Sequence, residues 1–190
     1  MKKNIKTTLL FIIYGICVLF QSFSSDLYDT AVSVFQENRP AEAQVLLEKL
    51  IAEEGDDPAV YNYLGITYYQ QGKVKEALDA FVKGAEIPFS NKSLLYFNAG
   101  NAAYSLKDYS SAEKYFSMSI EFDETYSASF LNRANTRINL GSLKDALDDY
   151  KKYLELEPDS QQKTVIENLM IAISEQLSVS SANDAKKQAE

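Results

Sequence analysis

The chain has 190 residues, of which 46% are hydrophobic and 24% charged, an ordinary composition for one globular domain. Its net charge of −8 repels phosphate backbones and argues against a nucleic-acid ligand. It contains no histidine, only one cysteine and no glycine-rich phosphate loop. These gaps argue against imidazole, thiolate and phosphate chemistry, so we predict a protein that is not an enzyme, with no cofactor and no metal.

The first 24 residues have the pattern of a targeting segment. Three lysines within the first six residues precede an apolar run over residues 9–20, and the small residues Ser22 and Ser24 follow it. The run is shorter than the roughly 20 residues that span a bilayer comfortably. We therefore predict that residues 1–24 form a signal peptide or N-terminal anchor of an exported protein. That protein would be periplasmic, or anchored in the inner membrane with residues 7–23 as its membrane tether.

The single cysteine, Cys17, lies inside this apolar run. A lipoprotein anchor on Cys17 is a weaker alternative, because Ile16 stands where such signals carry a small residue. Cleavage after Ser24 would remove the cysteine and lower the net charge from −8 to −11. The exported chain would then need no disulfide in an oxidising compartment.

Two columns of small residues recur along the rest of the chain. The first column is Ala31, Gly65, Gly100 and Ala134, and the second is Ala43, Ala77, Ala112 and Ala146. Both columns have spacings of 34, 35 and 34 residues, a period typical of stacked helix hairpins. The one extra residue falls within residues 88–92, which we expect to be a turn, where an insertion costs least.

The columns divide the chain into four units of two short helices each. The units cover about residues 24–57, 58–91, 93–126 and 127–160. Gly72 and Gly141 are predicted to end the first helices of units two and four, and Pro40 suits the first turn of a second helix. Helices of roughly 13–14 residues are marginal alone, so neighbouring units must stabilise them.

The residues after Pro158 are predicted to close the stack. Apolar residues recur at helical spacing there, which predicts a capping helix over residues 160–178 with Asp159 as its N-cap. Residues 179–190 are polar and are predicted to be disordered.

Units two and four resemble the tetratricopeptide repeat. The matching residues are Leu64, Gly65, Tyr68, Ala77 and Phe81 in unit two, and Ala146, Tyr150 and Pro158 in unit four. The resemblance implies an all-α fold, a right-handed α-solenoid of four helix hairpins with a C-terminal capping helix, over residues 25–178. Unit four departs from the pattern with Arg133 and Arg137 at usually apolar positions, which predicts exposure or ion pairing. Paired acids such as Asp148 and Asp149 are interpreted as solvated charge.

The resemblance also implies which side chains face the concave surface, namely those at the fifth, sixth, ninth and twelfth positions of each unit. The candidate partner-binding residues in this groove are Asn62, Tyr69, Phe97, Asn98, Asn101, Tyr104, Asn132 and Asn135. Aromatic rings supply contact area, and asparagine amides both donate and accept hydrogen bonds. The alternative for the aromatic residues of the twelfth position is that they only pack against the next unit.

The predicted function is a scaffold or adaptor that binds a partner polypeptide in the groove, in assembly of a bacterial envelope complex. By resemblance, chaperone-tail binding needs a lysine where this chain has Phe97, which disfavours that mode. Two alternatives remain open: a self-associating structural envelope protein, and a non-catalytic subunit of an exported enzyme complex. The sequence implies no particular oligomeric state.

Overall fold

A computed structural model describes the backbone of residues 26–188 and the side chains of residues 26–180. The predicted signal segment, its 7–23 tether and Cys17 lie outside the described residues. Nine helices and no strand occur between residues 26 and 188. They are α1 (26–36), α2 (Pro40–Glu54), α3 (Pro58–Gln70), α4 (Val74–Glu86), α5 (Lys92–Ser105), α6 (Tyr109–Phe122), α7 (Ser127–Asn139), α8 (Leu143–Leu156) and α9 (Lys163–Gln188).

The helices pack in sequence order, each against the next, and α5 also touches α7. Prolines stand at the start of α2 and α3, where the missing N–H has no helical partner to lose. Asp57 caps α3 by accepting from the backbone N–H groups of Ala59 and Val60. Within residues 26–188, no helix combines the length and apolar character needed to cross a bilayer.

The two columns of small residues form the contact between the helices of each hairpin. Ala43, Ala77, Ala112 and Ala146 are all fully buried. In unit two a Cβ at Gly65 would lie 2.5 Å from the Phe81 ring, and in unit three a Cβ at Gly100 would meet Phe116 at the same distance. In both units the aromatic ring of the second helix therefore occupies the space that a side chain on the first helix would need.

The turn inside each hairpin has the same backbone conformation in all four units. Gly72 and Gly141 have φ of 75° and 76°, and Asn38 and Lys107 adopt 56° and 61° in the corresponding turns. Glycine takes this left-handed conformation freely, whereas Lys107 takes it at a steric cost. The sequence identified the two glycine turns and gave no signal for the lysine one.

The interpretation of Asp149 as solvated charge is wrong. Asp149 in α8 is only 4% exposed, and its carboxylate accepts from both arginines of α7. The distances are 2.7 Å to Arg133 Nη2 and 2.8 Å to Arg137 Nη1, and Arg137 also bonds to Glu113 in α6 at 2.7 Å. The two arginines are therefore ion-paired, because a buried carboxylate supplies the charge that their burial requires.

The C-terminal helix differs from the predicted cap at both ends. It begins at Lys163, so Asp159 lies in the preceding turn rather than at the N-cap, and it continues to Gln188 rather than ending at 178. Residues 179–188, predicted to be disordered, are thus helical, because no proline or glycine interrupts the sequence after 163. Ile166 and Ile173 are buried against the last hairpin, which is the expected capping contact.

Candidate functional site

The first helices of units two to four line a groove that contains two adjacent cavities. The larger, of about 400 Å³, lies between α3 and α5. The smaller, of about 140 Å³, lies between α5 and α7. Asn101 and Tyr104 line both cavities, so the two lie next to each other along the groove. Ile66, Tyr69 and Phe81 line the larger cavity together with polar residues such as Asn98, and Asn132 and Asn135 line the smaller one, so polar groups occur along the whole groove.

Asparagine side chains connect the neighbouring units along this groove. Asn98 Nδ2 donates to Asn62 Oδ1 at 2.9 Å, and Asn132 Nδ2 donates to Asn101 Oδ1 at 2.7 Å. Each bond uses one atom of each amide and leaves the other without a protein partner. Among the side chains of residues 26–180, Thr67 Oγ1 is the only buried nitrogen or oxygen without a hydrogen bond, so solvent reaches the unbonded amide atoms.

The two groove tyrosines both pack against the next unit and line the groove. The Tyr69 hydroxyl bonds to Ser105 Oγ at 2.6 Å, and the Tyr104 hydroxyl accepts from Asn139 Nδ2 at 3.1 Å. Tyr69 remains 41% exposed and Tyr104 36% exposed. With the hydroxyls bonded inside the protein, the two side chains present mainly their rings to the groove.

At the C-terminal end, Asn135 is held by a residue of the core. The buried Tyr150 donates its hydroxyl to Asn135 Oδ1 at 2.6 Å. Burial, with a smaller contribution from the Tyr104 hydroxyl, raises the pKa of Tyr150 to about 12. Tyr150 is therefore a neutral donor throughout the physiological range, and it fixes which way the Asn135 amide points.

The structure brings six of the eight predicted groove residues to these cavities. They are Tyr69, Asn98, Asn101, Tyr104, Asn132 and Asn135. Asn62 lines neither cavity and acts through its bond to Asn98. Phe97 also lines neither, because its ring packs against Phe116 and Tyr126 at centroid distances of 6.0 and 5.1 Å.

Five cavity residues lie outside the predicted partner-binding set: Ile66, Gln70, Phe81, Ser105 and Phe116. Ile66 stands at the ninth position of unit two, one of the positions that the repeat pattern assigns to the groove. Ser105 lies one turn after Asn101 on α5, a spacing that would have indicated it. Phe81 and Phe116 belong to the second helices, and sequence reasoning identified them only as core residues. Their rings reach the groove because Gly65 and Gly100 leave the inner helix open above them.

The groove is uncharged at its cavities. The residues lining them include no lysine, arginine, aspartate or glutamate. The nearby Arg133 and Arg137 are occupied by Asp149, Glu113 and Ser117. Between residues 26 and 180 no three side chains of the metal-binding types gather into a group. The arrangement suits contact and hydrogen bonding with a neutral chain.

Known proteins that resemble this chain also carry helical repeats. RNA polymerase II-associated protein 3 of Mus musculus is 36% identical over 100 residues, which are 53% of this chain and 15% of the mouse protein. The first tetratricopeptide-repeat domain of Spaghetti (RPAP3), solved with the HSP90 peptide SRMEEVD, is 29% identical. Its TM-score is 0.58 over 64% of this chain and 94% of that domain.

A second solved structure supports the fold alone. The MamA protein has a TM-score of 0.69 over 87% of this chain and 94% of its own, at 14% identity. The predicted all-α solenoid is thereby confirmed. Family models described as tetratricopeptide repeat match residues 34–87 and, in two further copies, residues 94–126 and 127–160. Since the matches cover more than half of its length, the chain belongs to the tetratricopeptide repeat family.

Proposed function

We propose that this protein is a non-catalytic adaptor that holds a segment of a partner polypeptide in the groove of α3, α5 and α7. The observation that carries the proposal is the pair of adjacent cavities in this groove, which share Asn101 and Tyr104. Exposed tyrosine rings and unbonded asparagine amide atoms both occur along these cavities. A polypeptide offers the matching groups, namely side chains for the rings and backbone N–H and C=O groups for the amides.

The related domain of Spaghetti (RPAP3) supports the general mode, because it was solved with a peptide of HSP90 bound. That domain covers about two thirds of this chain, and the mouse relative is matched over only 15% of its length. The likeness therefore supports binding of a polypeptide segment, and it does not identify that segment.

We propose further that the adaptor is exported and works in assembly of a bacterial envelope complex. The support is the N-terminal sequence alone, with its three lysines, its apolar run and the small residues Ser22 and Ser24. N-terminal sequencing of protein from fractionated cells tests this placement. The expected result is a mature chain that begins at Ser25 in the periplasmic fraction. Recovery of the intact chain in the cytosol would refute it.

The groove proposal is tested by photo-crosslinking in cells. A photoreactive amino acid is placed at Asn101 or Tyr104, and in control variants at the exposed positions Asp79 of α4 and Lys114 of α6. Crosslinked peptides are then identified by mass spectrometry. We expect one partner segment to be captured from the groove positions and not from the controls. Equal capture of the same segment from both sets would refute groove binding.

A further inference from the structure

We infer that the larger cavity selects partner segments that present a large uncharged side chain from an extended backbone, and that it rejects acidic segments. This inference depends on the proposed adaptor function and specifies the chemistry of the partner. It sets this chain apart from the domain solved with SRMEEVD, a peptide that carries two glutamates and an aspartate.

The cavity walls supply apolar contact in a fixed geometry. Ile66, Tyr69 and Tyr104 form the sides and Phe81, which is 3% exposed, forms the floor. The Phe81 ring lies directly against Gly65, so the missing side chain at position 65 lets the ring sit beneath the groove. An aromatic or large aliphatic side chain that enters this space exchanges water for ring contacts.

Two asparagines of the cavity lining offer one free acceptor and one free donor. Asn98 Oδ1 remains free because its amide nitrogen bonds to Asn62, and Asn101 Nδ2 remains free because its oxygen bonds to Asn132. Positions three apart lie on the same helix face, so both atoms are open to one ligand. An extended backbone presents an N–H and a C=O for these two atoms, whichever side chains it carries.

The charges explain the rejection of acidic segments. A carboxylate that enters the cavity loses hydration and meets no cation, because neither cavity is lined by lysine or arginine. The fifth position of unit three, which faces the groove, holds Phe97, whose ring is packed against Phe116. The chain as a whole is also negative, at −8, so its long-range field repels acidic peptides.

The absence of tryptophan from the chain allows a direct binding assay. The probe is an uncharged peptide, blocked at both ends, with one tryptophan between serine and glycine residues. Its fluorescence is followed during titration with the full chain, in parallel with a matched peptide whose tryptophan is flanked by glutamates. We expect a blue shift for the uncharged peptide, with affinity at least about tenfold above that of the acidic one.

Three variants separate the cavity from the rest of the surface. Tyr69→Ala should weaken the uncharged probe at least about tenfold, whereas Phe89→Ala, which removes a fully exposed ring elsewhere, should leave it unchanged. Ile66→Lys places a cation in the cavity and should reverse the order of the two peptides. Circular dichroism establishes that each variant keeps its helical content.

Two results would overturn the inference. One is equal or tighter binding of the acidic peptide or of SRMEEVD to the unmodified chain. The other is the absence of any tryptophan shift with the uncharged probe. In both cases the crosslinks from Asn101 and Tyr104 decide the adaptor proposal independently, because they report any polypeptide in the groove whatever its charge.

Discussion

Replacement of Asp149 by asparagine tests the charge network that holds unit four together. Asp149 is 4% exposed and pairs with Arg133 and Arg137, whose side chains are 15% and 18% exposed. Asp149→Asn keeps the shape of the side chain but leaves two largely buried guanidinium groups without their shared anion. Removal of one partner of a buried ion pair costs about 3–5 kcal/mol.

The expected loss for Asp149→Asn lies at the lower end of that range, about 3 kcal/mol, because neither arginine is left without a partner. Arg137 keeps its bond to Glu113 at 2.7 Å, and Arg133 keeps one to Ser117 at 3.0 Å. The free energy of unfolding is measured from urea titrations followed by circular dichroism.

The neighbouring residue supplies a matched control. Asp148 stands on the same helix, is 65% exposed and pairs only with the exposed Lys151 at 3.4 Å. Asp148→Asn should change stability by less than about 0.5 kcal/mol. The triple replacement of Asp149, Arg133 and Arg137 by leucine should recover most of the loss, since apolar residues can substitute for a complete buried network. Equal losses for Asp148→Asn and Asp149→Asn would refute the reasoning.

Four further predictions concern a close helix contact, a left-handed turn, a buried hydroxyl and the ionisation of a buried tyrosine. Gly65→Ala should cost about 1–2 kcal/mol in urea titrations despite its gain in helix propensity, because its methyl group would lie 2.5 Å from Phe81; a gain would contradict the packing. Lys107→Gly should gain about 0.5–1 kcal/mol, since φ is 61° at this exposed turn, and a loss would show that the lysine is not strained. Thr67→Val should gain about 1 kcal/mol because the Thr67 hydroxyl is buried without a partner; a loss of that size would reveal a bond to it. The unmodified chain should lose stability as pH rises from about 10 to 12, because the folded pKa of Tyr150 is raised to about 12 and only the unfolded chain ionises below that value. Tyr150→Phe should reduce the loss of unfolding free energy between about pH 10 and 12 by about 2 kcal/mol. An unchanged loss would contradict the raised pKa of Tyr150.

The repeat could be predicted from sequence because its determinants are local and repeated. Ala77 and Ala112 occupy equivalent positions in two units and are both fully buried, so the same packing contact recurs in each unit. The turns at Gly72 and Gly141 were predicted for the same reason. The turn at Lys107 was not, because the fold imposes the left-handed conformation there and the residue itself does not favour it.

The misassigned residues depend on contacts between distant parts of the chain. The burial of Asp149 requires arginines 12 and 16 residues away on another helix, and the sequence of α8 alone reads as solvent-facing. Phe97 occupies a groove position, but Phe116 and Tyr126 draw its ring out of the cavities. The position of a residue in the repeat predicts which helix face it lies on. The neighbouring side chains decide whether it remains available for a ligand.

The groove asparagines show why repeat geometry and ligand chemistry are coupled in this protein. The Asn62–Asn98 and Asn101–Asn132 bonds each join two consecutive first helices, so they help to set the spacing between units. The same bonds decide which amide atom is left for a ligand, since an asparagine oriented by its neighbour offers only the remaining atom. A lysine or arginine at either position would favour an acidic ligand but would remove the bridge between units. The neutral character of the groove therefore follows from how its units are joined.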